Sequence, residues 1–260
     1  MKAHPWSAIE HPPQLGNNEV HLWRAHLDVL ADTLEIMVRH LDINERTRSA
    51  SFSNPLLRAR FVASHAFLRV LLSAYLAMPA SGVRFTIGRF GKPRVVSAQG
   101  AIPVEFNMSH AASVAIYAFS LGRAVGVDVE LKRRDMNWRD IALRFFPPAE
   151  TRALTSLPVG QQLDAFFATW CRKEAFLKGR GDGLSQDLSR FAVSVDLNAK
   201  PSVEWTDLER TDLSQWILTD VDLGPDFSAA VAVETNQPLT YHYWEVKPLP
   251  VSTRRLGAQP

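Results

Sequence analysis

The sequence has a single cysteine, Cys171, in 260 residues. That excludes an intramolecular disulfide framework and suits a reducing cytosol. Long apolar runs are missing too: nothing approaches the roughly 18 residues of a membrane-spanning helix. Early prolines and charges stand where a secretory signal would place an apolar segment, so a cytoplasmic protein is expected. Net charge is nearly absent, +2 from 29 basic and 27 acidic side chains, which removes any bulk attraction to nucleic acid or membrane. Two familiar catalytic signatures are lacking. The turn G-R-F-G-K-P at 88–93 does not have Walker A spacing, and Ser109-His110 has no G-x-S-x-G elbow around it. No residue-level repeat is visible.

What is present is an ordinary globular composition, 46% hydrophobic and 22% charged, in a chain long enough for one large domain or two small ones. Two stretches stand out. Residues 125–130 read V-G-V-D-V-E, a period-two alternation that predicts a half-buried strand. Its valines line one face; Asp128 and Glu130 share the other, about 7 Å apart along the strand. Carboxylates that close repel unless water, a base or a cation relieves them. Gly126 on their face is expected to leave room for a ligand. Residues 163–178 predict a helix with Leu163, Phe166, Phe167, Trp170 and Leu177 on one apolar stripe. Glu174 falls on that stripe, where a carboxylate needs a partner or a metal. Lys178 at i+4 offers an intrahelical ion pair. Three carboxylates from a strand and a helix, with a lysine nearby, suit Mg²⁺ and a phosphate.

In chain order, 1–19 read as an irregular arm and 20–27 as a strand. The segment 45–51 is basic and polar, and Pro55 opens a long helix to about residue 77. Arg58, Arg60, His65 and Arg69 on that helix read either as a solvated basic face or as an anion site suited to arginine forks. Strands are expected near 83–87, 104–108 and 113–119, the last turning at 121–123 into a hairpin with V-G-V-D-V-E. Helices follow at 138–145 and from 149. Strands return at 191–195, 216–221 and 229–233, and from 237 the chain reads as a proline-rich tail. The order predicts an α+β fold of two similar halves, 20–123 and 124–236, with the site at their junction.

Three motifs together resemble the signature of the 4′-phosphopantetheinyl transferases: F-N-M-S-H at 106–110, V-G-V-D-V-E, and W-C-R-K-E-A-F-L-K at 170–178. The likeness is to the larger, monomeric class that activates carrier proteins of peptide and polyketide synthases. It implies a pseudo-dimeric α+β fold and transfer of phosphopantetheine from coenzyme A to a carrier-protein serine, releasing 3′,5′-ADP. By position it implies Asp128, Glu130 and Glu174 as Mg²⁺ ligands. Lys178, His110, Ser109 and Lys92 are implied as contacts to coenzyme A phosphates. Arg60 corresponds to an arginine near the nucleotide 3′-phosphate, with Arg46 or Arg48 helping. Glu150 resembles a proposed general base, handing the serine proton on directly or through Lys178 or water. The segment 138–146, with Trp138, Leu143, Phe145 and Phe146, offers apolar groups either for docking an acyl or peptidyl carrier or for the core. The basic run 132–134 would steer an acidic carrier. Two other classes stand beside the transferase: a non-catalytic coenzyme A or carrier-binding protein, and a Mg²⁺-dependent phosphohydrolase using the same acidic trio.

Overall fold

Helices and strands alternate along the described residues, which in this computed structural model are 6–9, 12–88, 91–96, 100–181, 187–209 and 211–247. The N-terminal part runs β1 (Ser7–Ile9), β2 (Glu19–His26), α1 (Ala31–Val38), α2 (Ile43–Ala50), α3 (Pro55–Leu76), β3 (Phe85–Ile87), β4 (Pro93–Val95), β5 (Val104–Ala111) and β6 (Val114–Leu121). Then come β7 (Val125–Leu131), α4 (Trp138–Phe145), α5 (Pro148–Ser156), α6 (Val159–Arg180), β8 (Phe191–Val193), β9 (Val203–Thr206), β10 (Trp216–Asp220), β11 (Phe227–Glu234) and β12 (Thr240–Val246). No described helix is long and apolar enough to cross a membrane. Arg89 of the glycine turn, 182–183 of the loop after α6, and the ends of the arm and tail lie outside the described residues.

Local chemistry explains the main helices. Asn54 caps α3 by accepting from the Leu56 and Leu57 N–H groups, with Pro55 in the first turn. Helix α2 starts on a capping box between Asp42 and Glu45. That D-x-x-E signal runs into the segment 45–51, expected only to be basic and polar. Both capping carboxylates also receive the fully buried Arg69, which donates further to the Ala80 and Val83 carbonyls. Arg69 is therefore a buried tie between α2, α3 and the following turn, not part of a basic surface.

One sheet has the order β1-β12-β2-β6-β5 and a second the order β10-β11-β7. Helix α3 packs Phe67, Leu71 and Leu72 onto Trp23, Tyr117 and Phe119 of the first sheet. That sheet's other face brings Val20, Leu22, Ile116 and Ala118 against Val125, Val127, Val129, Val231 and Val233 of the second. Helix α6 covers the far side, packing Phe166 and Phe176 into one cluster with Leu218 and Ala230 of the second sheet. The result is an α+β layering of helix, sheet, sheet and helix.

Three expectations change. β6 and β7 are not a hairpin: β6 pairs on both edges, with β2 and β5, so β7 crosses to the second sheet and pairs with β11. The C-terminal segment is not simply a tail, because β12 inserts parallel to β2, and β1 of the arm pairs with β12 in turn. Gly126 does not open a ligand space. A Cβ there would stand 2.1 Å from the Ala175 carbonyl oxygen and from the Gly179 nitrogen, so the glycine lets α6 settle directly on β7.

That contact yields a stability test. Gly126→Ala forces apart two backbones and should lower unfolding stability by about 3 kcal/mol, the upper range for overpacking. Gly160→Ala, which meets nothing within 4 Å, should change it by less than about 1 kcal/mol. Urea unfolding of both variants gives the comparison; similar midpoints would mean the β7–α6 contact is not limiting.

Candidate active site

The alternation of β7 puts Asp128 and Glu130 on the face that α6 covers, and α6 brings Glu174 to them. Asp128 is 3% exposed and Glu174 9%. Burial, with the Asp128 and Glu130 charges adding, pushes the Glu174 carboxyl up to about 7. Burial and then Asp128 also raise Glu130, whose carboxylate bonds the Trp170 side chain. These are the marks of carboxylates crowded beyond what the protein alone neutralises.

Lys178 supplies part of the missing charge. Its Nζ reaches across to β7 and donates to Asp128 Oδ1 at 2.5 Å and to Ser109 Oγ at 3.0 Å, where the sequence offered a pair along the helix with Glu174. Ser109 in turn donates to Asp128 Oδ1 at 3.0 Å. Asp128 Oδ2 is buried with no partner among the described residues. An orphaned carboxylate oxygen beside two more carboxylates fits a hard divalent cation. The oxygens of the three do not all lie within 4.8 Å of one another, and Lys178 holds Asp128 in this arrangement.

β5 delivers its motif to two places. Asn107 and Ser109 point towards β7: the Asn107 Oδ1 accepts the Val127 N–H at 2.8 Å, tying together the end strands of the two sheets. Met108 and His110, on the opposite face, line a cavity of about 530 Å³ with Arg48, Arg60, Phe61 and His65. Arg60 is set there by a two-pronged pair with Asp28, at 2.7 and 3.0 Å. Arg48 lies over the Phe61 ring. Burial lowers His110, with Lys178 adding to the shift, and takes His65 down to about 4. The cavity thus holds two guanidinium groups and neutral imidazoles, a setting for an anionic, partly aromatic ligand.

Other expected residues lie elsewhere. Arg46 turns back to the Leu41 and Arg39 carbonyls, whereas Arg48 joins the cavity. Lys92 donates to the carbonyls of Val125 and Gly179, both at 2.9 Å. In this arrangement it staples the start of β7 to the end of α6. Glu150 is 3% exposed; both oxygens accept from Lys173, and one also accepts the Val193 N–H. So enclosed, Glu150 anchors Lys173 of α6 to β8 in this arrangement. Trp138 and Phe146 are core, while Leu143 at 70% and Phe145 at 36% are exposed.

The single apolar stripe on α6 is also too simple. From Cys171 to Leu177 every residue is buried, because the helix is packed by the second sheet and also by β8, α4 and α5. Arg172 is neutralised by Asp220 and the Ser194 carbonyl, and Lys173 by Glu150. Lys173 and Asn107 are site-building residues that sequence reasoning passed over. Each sits inside a singled-out motif, Lys173 beside Glu174 and Asn107 two residues before Ser109.

Comparison with known proteins places the chain in a group. Residues 124–232 match the family described as ACPS, the 4′-phosphopantetheinyl transferase superfamily. The chain is 36% identical over 247 residues to the 4′-phosphopantetheinyl transferase HetI of Nostoc sp., covering 94% of this chain and 100% of that protein. It is 30% identical to the 4′-phosphopantetheinyl transferase Sfp of Bacillus subtilis, over 66% of this chain and 79% of that one. Identity to the 4′-phosphopantetheinyl transferase AcpT of Escherichia coli is 32%, over 62% and 75% respectively.

The crowding of Glu174 predicts a pH dependence for the metal-free protein. Its carboxyl titrates near 7 when folded, against an ordinary 4.5. Stability from this group is therefore full below pH 4.5 and lost as pH rises through 7. The loss is on the order of 3 kcal/mol at 1.36 kcal/mol per unit. Glu174→Gln should match the parent in acid and exceed it above neutrality in EDTA, by urea midpoints. Parallel pH profiles would show that the trio is not strained.

Proposed function

The chain belongs to the 4′-phosphopantetheinyl transferase superfamily, and on that premise we propose how its site moves the 4′-phosphopantetheine arm of coenzyme A onto an apo carrier protein. The observation that carries the reading is the Lys178–Ser109–Asp128 cluster. It joins β5 of the first sheet to β7 and α6, beside Glu174 and a guanidinium-lined cavity.

The carrier serine oxygen attacks the β-phosphorus of coenzyme A. A serine O–P bond forms as the hydroxyl proton passes to water, the bond to the bridging oxygen breaks, and 3′,5′-ADP leaves with that oxygen. Asp128, Glu130 and Glu174 would hold Mg²⁺, which supplies positive charge against the pyrophosphate when bound. Lys178 places a fixed cation next to the same phosphates and already has its orientation set by Ser109. His110, kept neutral by burial, donates a hydrogen bond from the cavity side without adding charge. Arg60, locked by Asp28, and Arg48 face the 3′-phosphate end of the nucleotide. Glu150 is a positioning residue: by anchoring Lys173 it fixes the adjacent Glu174. Leu143 and Phe145, exposed on α4, together with the basic 132–134 run, form the docking face for an acidic carrier of peptide, polyketide or fatty-acid synthesis.

The experiment is intact mass spectrometry of an apo carrier protein incubated with this protein, coenzyme A and Mg²⁺. One phosphopantetheinyl mass should be gained, and EDTA should abolish it. Lys178→Ala should cut kcat by about 10²–10³-fold, the scale of one electrostatic donor. No mass gain with coenzyme A still bound would favour the binding-protein alternative; release of phosphate without any carrier would favour a hydrolase. A second prediction tests the cavity. Arg60→Ala should raise KM for coenzyme A about tenfold, the worth of one charge-assisted contact. It should leave KM for dephospho-coenzyme A unchanged. Equal effects on both substrates would move the 3′-phosphate elsewhere.

A further inference from the structure

A second group of ligating side chains lies outside this site. Glu19 and His21, two apart on β2, share one face of the strand. His242 on β12 is the direct partner of His21 in the parallel ladder. One ligand atom from each of the three lies within 4.8 Å of the other two. His21 Nε2 stands 3.3 Å from Glu19 Oε2, and His242 Nε2 stands 3.5 Å from Glu19 Oε1. The His21 side chain is wholly buried, while Glu19 at 35% and His242 at 36% leave a path from solvent.

The surroundings hold these groups in place. Tyr75 Oη lies 2.8 Å from His21 Nδ1 and itself accepts the Trp23 indole N–H at 2.9 Å. The Gly16 N–H fixes Glu19 Oε2 at 2.9 Å. Trp244 packs edge-on against the His21 ring and stacks flat on that of His242. Both imidazoles are thus oriented with Nε2 towards one carboxylate. A partly exposed histidine–glutamate pair contributes little by itself and needs no such support. Two imidazoles and a carboxylate, one imidazole backed by a phenol, form the donor set and outer shell of a zinc-type centre with an open position.

We propose that Glu19, His21 and His242 bind a divalent transition-metal ion of the zinc class, tying β12 to β2. Binding through His21 Nε2 moves the ring proton to Nδ1, where Tyr75 Oη accepts it. The nitrogen-rich donor set disfavours Mg²⁺, which prefers oxygen. Strand register separates the centre from the carboxylate trio. His21 pairs with Phe119, whereas Ser109 and His110 pair with Ile116 and Ala115 at the other end of β6.

The test is Zn²⁺ uptake by equilibrium dialysis, and Co²⁺ titration read in the visible spectrum. The full chain, Glu174→Gln and His242→Gln are compared, with circular dichroism confirming the fold of each. One equivalent of Zn²⁺ should persist in Glu174→Gln. In His242→Gln that equivalent should weaken by more than about 100-fold, beyond what outer-shell changes cost. Zn²⁺ should raise the melting temperature of the parent and Glu174→Gln but not of His242→Gln; Mg²⁺ should not reproduce this. No uptake by the parent, equal uptake by His242→Gln, or loss of the ion in Glu174→Gln alone would overturn the proposal.

Discussion

The approach of α6 to β7, backbone against backbone, is the constraint on which the site rests. Without a side chain at Gly126 the helix sits directly on the strand, and Gly179 lies at the same contact. Only at that separation can Lys178 span to Asp128 and Ser109, and only there do three carboxylates crowd one another. Lys92 reinforces the same place from outside, donating to carbonyls on both elements. The site's electrostatics therefore follow from a steric fact.

A consequence is that the helix interior carries an unusual load of charge. Arg172, Lys173 and Glu174 are consecutive and all buried, so they point in three directions around α6. Each must meet a different neighbour: Asp220 of β10, Glu150 of α5, and the carboxylates of β7. Burial pushes Lys173 and Glu150 towards their neutral forms, and their mutual pairing opposes it. Replacing such pairs by apolar groups is often neutral or stabilising. Their role here is to specify the rotation of α6, and hence where Glu174 points.

Much of this was legible in the sequence, because its periodicities report local burial. The alternation of V-G-V-D-V-E placed Asp128 and Glu130 on one face, and Pro55 marked the start of α3. Glu174 stood out as a charge among apolar positions. What sequence could not resolve depended on partners distant in the chain. Gly126 read as open space because the covering backbone belongs to α6. Glu150 read as available because Lys173 and Val193 enclose it only after folding. β6 and β7 read as a hairpin because the pattern does not disclose that β2 already occupies the remaining edge of β6. The capping box at Asp42 and Glu45 was a local signal, masked by the arginines around it.

The position of β12 bears on how the molecule comes into being. This strand lies between β1 and β2, yet it follows every other described element in the chain. During synthesis β2 must wait with one edge unpaired until residues 240–246 have left the ribosome, while β5, β6 and α3 are already able to pack. Such long-range closure is slow compared with local pairing, and an open edge invites pairing with other chains. Completion of the first sheet is thus a late event, and the nascent protein is most vulnerable to misassociation just before β12 arrives.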